Sequence, residues 1–164
     1  MRDDVPVKTV LFVCTGNTCR SPLAEVIFRE CAYRQGIDVV STSAGIMATE
    51  GQPAAGNAVK VARDNNLDLR GHRSRELTPE IAGDASLILT MSGFHWYDVT
   101  EIVPPEKVSL LTTFGTDDGD WIDVPDPYGG SVKVYRKTYD LLHREILRIL
   151  PDIRVWLESR DDQQ

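Results

Sequence analysis

The chain has 164 residues, enough for one domain with a real core and too few for two ordinary ones, and its 41% hydrophobic and 26% charged residues exclude wholesale disorder. Twenty-five Asp and Glu against 18 Lys and Arg leave a net charge of -7, which argues against a nucleic-acid binder, because such proteins carry a basic face. Met1-Arg2-Asp3-Asp4-Val5-Pro6 lacks the apolar core of a signal peptide, no stretch reaches the length of a membrane span, and three cysteines are an odd number for a secreted disulfide framework, so a cytoplasmic protein is expected.

The first predicted element is a buried strand, Val10-Leu11-Phe12-Val13, ending at Cys14. A loop, Thr15-Gly16-Asn17-Thr18-Cys19, leads to Arg20-Ser21-Pro22, where the proline suits the first turn of a helix. That helix places Leu23, Val26, Ile27 and Cys31 at helical spacing and stops near Gly36, with Cys31 read as core. A second strand is expected over Asp38 to Ser43, ending at Ala44-Gly45. Pro53 is expected to open a second helix carrying Ala58, Val61 and Ala62. After the break at Gly71, Thr78-Pro79 reads as a cap followed by a proline start. Leu87 to Met91 is the third strand, Ser92 to Val99 a short helix, and Val108 to Leu111 the fourth strand. Thr113 to Gly130 has little periodicity and reads as a long loop, of the kind that often carries function. Ser131 can cap a last helix with an apolar face of Val134, Thr138, Leu141, Leu142 and Ile149, which Pro151 should end or kink near Leu150. Only Asp161-Asp162-Gln163-Gln164 reads as a frayed tail.

Alternating strands and helices predict an α/β fold. The expectation is a single domain over residues 1–164, with its core at about 7–159. It should be a four-stranded parallel sheet flanked by helices on both faces, with a phosphate-binding loop after the first strand.

The spacing of Cys14 and Arg20 carries the chemistry. A cysteine at a strand's carboxyl end, facing a helix N-terminus, sits where unpaired N–H groups favour a thiolate and bind phosphate. Arg20 adds a planar cationic fork that holds two phosphate oxygens at once. Asn17 tolerates a left-handed backbone and so suits a tight anion nest. No cysteine or histidine pair stands at metal-ligand spacing, so neither a metal nor another cofactor is expected. His95 and His143 read as surface residues, and core or rim packing is the default for Trp96, Trp121 and Trp156.

Cys14-Thr15-Gly16-Asn17-Thr18-Cys19-Arg20-Ser21-Pro22 resembles the signature of the low-molecular-weight protein tyrosine phosphatase family. Asp126-Pro127-Tyr128-Gly129-Gly130-Ser131, far along the chain, resembles that family's general-acid loop. The resemblance implies a phosphorylated protein as partner and no nucleic acid or membrane. It implies Cys14 as nucleophile, Arg20 and the loop backbone of Thr15, Gly16, Asn17, Thr18 and Cys19 as phosphate binders, and Asp126 as acid and then base. Composition does not separate Asp126 from Asp117, Asp118, Asp120 and Asp123; the Asp-Pro motif selects it. Ser21 resembles the serine that donates to the thiolate, Asn17, Ser43 and His72 fall where the family supports its loop, and Tyr128 should wall the pocket. In relatives a cysteine placed like Cys19 can form a reversible disulfide with the nucleophile, and a packing role is equally compatible.

Thr18 and the pair Gly129-Gly130 resemble the protein arginine phosphatase branch, whereas tyrosine phosphatases commonly have Ile at the first of these positions. A smaller, hydroxyl-bearing side chain makes room for a guanidinium and offers it a polar contact, which favours phosphoarginine, with phosphotyrosine as the alternative. Thioredoxin-linked arsenate reductases need resolving cysteines downstream, and this chain has none after Cys31. A phosphocysteine carrier would not need both Arg20 and an acid loop, and a silent phosphoprotein-binding module would dispense with Cys14 or Asp126.

Overall fold

The computed structural model describes residues 6–117 and 120–161. The acidic start of the chain before Pro6, Asp118 and the last three tail residues lie outside them. Four strands, β1 (Thr9–Cys14), β2 (Val40–Gly45), β3 (Leu87–Thr90) and β4 (Val108–Leu110), form one sheet in the order β2-β1-β3-β4, with every pair parallel. From β1 the chain runs to one side for β2, then returns to the other side for β3. The carboxyl end of β1 is therefore the point where strand order reverses, the place at which open α/β sheets bind ligands.

The strands are buried on both faces, and their side chains alternate between two apolar layers. Val10, Phe12 and Leu89 face α1 (Arg20–Arg34), α2 (Gly56–Asp64) and α5 (Val132–Asp161). The Phe12 and Phe28 rings meet edge to face at 5.4 Å in this layer, and Cys31 is buried here, its thiol pushed up by desolvation. Leu11, Val13 and Ile88 face α3 (Pro79–Asp84) and α4 (Gly93–Thr100) through Ala82 and Val99.

Several local expectations change. The second helix begins at Gly56 rather than at Pro53, because Pro53 belongs to the connection before it. Of the expected α5 face, Thr138, Leu142 and Ile149 are buried and Leu141 packs against the core, but Val134 is 41% exposed and the buried Tyr135, Tyr139 and Ile146 complete the face. Pro151 does not end α5, which runs on to Asp161. The turn beyond the proline buries Ile153 completely, and Trp156 and Leu157 pack against the same layer, which outweighs the one hydrogen bond that proline deletes. Thr78 caps α3 as expected, its Oγ1 accepting from the Ile81 N–H at 3.2 Å, and Ser131 caps α5. Among the described residues no helix is long and apolar enough to cross a membrane.

Candidate active site

The loop between β1 and α1 is held by its carbonyls. Cys14 O accepts from Ile46 N and Thr15 O from Met47 N, both at 3.0 Å, and Thr18 O accepts from Ala55 N at 2.9 Å. Asn17 O accepts from the His72 ring Nε2–H at 2.7 Å. With these oxygens tied outward, the N–H groups of residues 15–19 donate to no protein acceptor among the described residues, and they form a concave nest for an anion. Gly45 permits this close approach. A Cβ there would stand 2.5 Å from Thr15 O and 2.9 Å from Asn17 N.

Asn17 is the hub. It is fully buried at φ 55, and its side-chain orientation follows from its partners: Oδ1 accepts the Arg75 N–H at 3.0 Å, so Nδ2 donates to Ser21 Oγ at 2.8 Å and Ser43 Oγ at 2.9 Å. Ser21 Oγ thereby accepts a hydrogen bond from one side, and of the two acceptors within its own reach Cys14 Sγ at 2.9 Å is much closer than Ala44 O at 3.5 Å. Burial lowers the pKa of His72, so its ring is the neutral tautomer that donates to the loop.

The opposite flank departs from expectation. His95 is not a surface residue but is 1% exposed, with Nε2 2.8 Å from Thr15 Oγ1 and Nδ1 2.9 Å from Ser92 Oγ. Ser92 caps α4 by accepting the His95 N–H, so its hydroxyl donates to Nδ1 and the ring proton stays on Nε2, where it donates to Thr15. Burial, and then the Arg20 cation, hold the His95 pKa down to about 4. His143 is half-buried and stacks on Tyr139.

Arg20 is 6% exposed. Its Nη1 donates to Val124 O at 3.0 Å, and its Nη2 lies 3.5 Å from both Thr15 Oγ1 and Asp126 Oδ2. Asp126 closes an Asx turn, accepting the Tyr128 N–H at 3.1 Å, which aims its other oxygen at the arginine. Cys14, Thr15, Gly16, Thr18, Cys19, Arg20, Asp126 and Tyr128 line one cavity of about 250 Å³. Among the other described aspartates of the long loop, Asp123 is taken up by the Gly93 N–H, and neither Asp117 nor Asp120 lines the cavity. Tyr128 is 81% exposed and stands at the rim.

Cys19 Sγ lies 3.1 Å from the Tyr135 hydroxyl of α5, and desolvation raises its pKa. All three cysteines are free thiols. Gly129 has φ 74, and a Cβ on Gly130 would stand 2.8 Å from Pro127 O, so the glycine pair answers to the local turn as well as to the substrate.

Sequence reasoning missed His95, Gly45 and Arg75. The spacing of Ser92 and His95, a helix cap with a ring three residues on, was the available signal for the first. The others depend on contacts across the sheet.

Comparison with known proteins agrees with this geometry. The model of the family described as low molecular weight phosphotyrosine protein phosphatase matches residues 9–156. A protein-arginine-phosphatase of Bacillus subtilis (strain 168) is 39% identical over 143 residues, 86% of this chain and 93% of that protein. The low molecular weight protein-tyrosine-phosphatase Etp of Escherichia coli (strain K12) is 35% identical over 139 residues, 83% of this chain and 88% of its own length. The crystal structure of a YwlE mutant from Bacillus subtilis matches with a TM-score of 0.84 and 34% identity, covering 90% of this chain and 99% of that one.

Proposed function

The chain belongs to the low molecular weight phosphotyrosine protein phosphatase family, and from that premise we propose that it removes phosphate from arginine side chains of proteins. It is a cysteine-dependent protein phosphatase. In the first step Cys14 Sγ attacks phosphorus, the S–P bond forms as the P–N bond breaks, and Asp126 gives its proton to the departing guanidine nitrogen. Arg20 and the N–H groups of the loop hold the phosphoryl oxygens. In the second step Asp126, now a carboxylate, takes a proton from water as its oxygen attacks phosphorus. The P–S bond breaks, and the Ser21 hydroxyl steadies the leaving thiolate. Asn17, Ser43 and His72 keep the loop in shape throughout. A nucleophilic thiol with two further free cysteines suits a reducing compartment, and we place the enzyme in the cytoplasm.

Thr18 carries the choice of substrate. It lines the same cavity as Asp126, where a larger aliphatic side chain would take the room and remove the hydroxyl. The similarity to an arginine phosphatase over most of both chains supports the same choice. Phosphotyrosine is the second reading, favoured by the exposed Tyr128 ring as a flat wall and by the tyrosine phosphatase relative.

Side-by-side hydrolysis of phosphoarginine and phosphotyrosine peptides decides between them. Wild type is expected to favour phosphoarginine, and Thr18→Ile to shift the ratio of the two kcat/KM values toward phosphotyrosine by at least about tenfold, the effect of about one methylene in a pocket. An unchanged ratio, or a wild type that prefers phosphotyrosine, overturns the phosphoarginine reading.

A further inference from the structure

Charge along the chain is lopsided. Residues 76–131 hold eleven Asp and Glu against the single Lys107, while the rest of the chain holds 14 acidic against 17 basic residues. The acidic stretch includes α4 and the long loop that carries Asp126. On α4, Phe94, Tyr97, Asp98 and Glu101 stand at i, i+3, i+4 and i+7, the spacing of one helix face, and all four are exposed. Phe94 is 60% and Tyr97 61% exposed, an uncommon use of aromatic surface. Trp121, 48% exposed, extends it: its ring lies 5.9 Å from that of Tyr97 and 5.3 Å from that of Trp96. Among the described residues Asp98, Glu101 and Asp120 form no ion pair.

This face is tied to the catalytic pocket through two buried chain neighbours. His95, next to Phe94, bonds Thr15 in the phosphate loop, and Val124, three residues after Trp121, accepts from Arg20. Aromatic rings near the pocket with unpaired carboxylates beyond them form a surface for cations, which stack on rings and pair with carboxylates. The stripe from Phe94 to Glu101 is about 10 Å long, the reach of roughly three residues of extended peptide.

We propose that the exposed face of α4, with Trp121 and Asp120 of the neighbouring loop, docks the segment flanking the phosphorylated residue, and that this segment is rich in arginine and lysine. The docking rests on the phosphatase reading but not on which phosphorylated side chain is cleaved. It selects substrates through KM and leaves the chemistry at Cys14 untouched.

Three phosphoarginine peptides that differ only in flanks of Arg, Lys or Glu test it, with free phosphoarginine as control and with a matching phosphotyrosine series. Basic flanks are expected to raise kcat/KM over acidic ones by about tenfold, mainly through KM, and about 0.5 M salt should abolish most of that advantage. Asp98→Asn/Glu101→Gln/Asp120→Asn should erase it while free phosphoarginine turns over as in wild type. Tyr97→Ser should erase only the advantage of Arg over Lys, since the guanidinium stacks better on a ring. No flank preference in either series, or a preference that survives the triple variant, overturns the proposal. A dimer in sedimentation velocity that the triple variant dissolves, with flank preference unchanged, overturns it in favour of a second copy of the chain. Flank preference in the phosphotyrosine series, with phosphoarginine peptides not hydrolysed, upholds docking and overturns phosphoarginine as substrate. Hydrolysis of phosphoarginine with no flank preference in either series does the reverse.

Discussion

The phosphate loop leans on two histidines, one on each flank, and the flanks differ in kind. On the β2 side His72 holds Asn17 O, while the Asn17 side chain ties Ser21, Ser43 and the Arg75 backbone. Apart from Ser21, which reaches Cys14 Sγ, these partners are short, neutral or main-chain, and they set shape. On the α4 side Ser92 and His95 hold Thr15, which together with Asp126 shares Nη2 of the charged Arg20. Both contacts of that nitrogen are 3.5 Å, long enough for the guanidinium to turn to a phosphoryl oxygen at small cost. One flank is a rigid mould and the other a set of movable charges. A phosphatase needs both, since the nest must be ready before substrate arrives and the charge must follow phosphorus as it transfers.

The largest effect expected from breaking this contrast lies at Asn17. Asn17→Ala leaves Ser21, Ser43 and the Arg75 N–H without their partner, at about 1–3 kcal/mol for each buried group, and puts a Cβ-bearing residue without local hydrogen bonding at φ 55. A loss of about 4 kcal/mol or more in denaturant unfolding, with kcat down at least about a hundredfold, is the expected result. Asn17→Gly keeps the backbone freedom and should recover about 1 kcal/mol of stability but little activity. Recovery of activity with glycine would mean that backbone shape alone makes the mould.

The two flanks also differ in how readily sequence reveals them. The β1 strand and its loop are legible because a short apolar run, a cysteine and a proline start carry their own local signals. Asn17, Ser43 and His72 were reached through family resemblance, and the structure brings all three together. His95 was not reached, because Thr15 lies 80 residues away in sequence and a lone histidine on a short helix has an ordinary surface reading. Similar long-range packing explains Pro151 and the exchange of Val134 for Tyr135 on the buried face of α5. Local rules stop or tilt that helix, whereas Ile153 and Tyr135 settle it against the sheet layer.

An intermediate effect is expected on the movable flank. His95→Leu removes the Nε2–H that holds Thr15, so Arg20 loses an oriented neighbour while Asn17 and its partners are untouched. Phosphate affinity and kcat/KM should each fall about tenfold, with a stability loss of about 1–3 kcal/mol from the unpaired Thr15 and Ser92 hydroxyls. His95→Gln offers an amide N–H at a similar reach and should restore most of the phosphate affinity. In a Thr15→Val background the two His95 variants should become equivalent in affinity. Persistence of the difference there would show that His95 acts by another route, and the division into mould and movable charge would need redrawing.

The smallest effect is a pH dependence that grades the flanks. The His95 pKa is about 4 in the folded chain, below the ordinary 6.5, so between these values the unfolded chain binds a proton that the folded chain does not. Stability from this ring is therefore complete above about pH 6.5 and is lost as pH falls toward 4, by about 3 kcal/mol. His72 is also shifted down by burial, but it is only half-buried, and hydrogen bonding to Asn17 O opposes the shift. Urea unfolding at intervals from pH 4 to pH 7 should show the slope of stability against pH flattened clearly by His95→Gln and less by His72→Gln. Equal flattening by both would place the two rings in equivalent surroundings, contrary to the deeper burial of His95. A slope unchanged by His95→Gln would mean that the ring accepts its proton without cost, and that the Arg20 charge is spent on Asp126 rather than on the histidine.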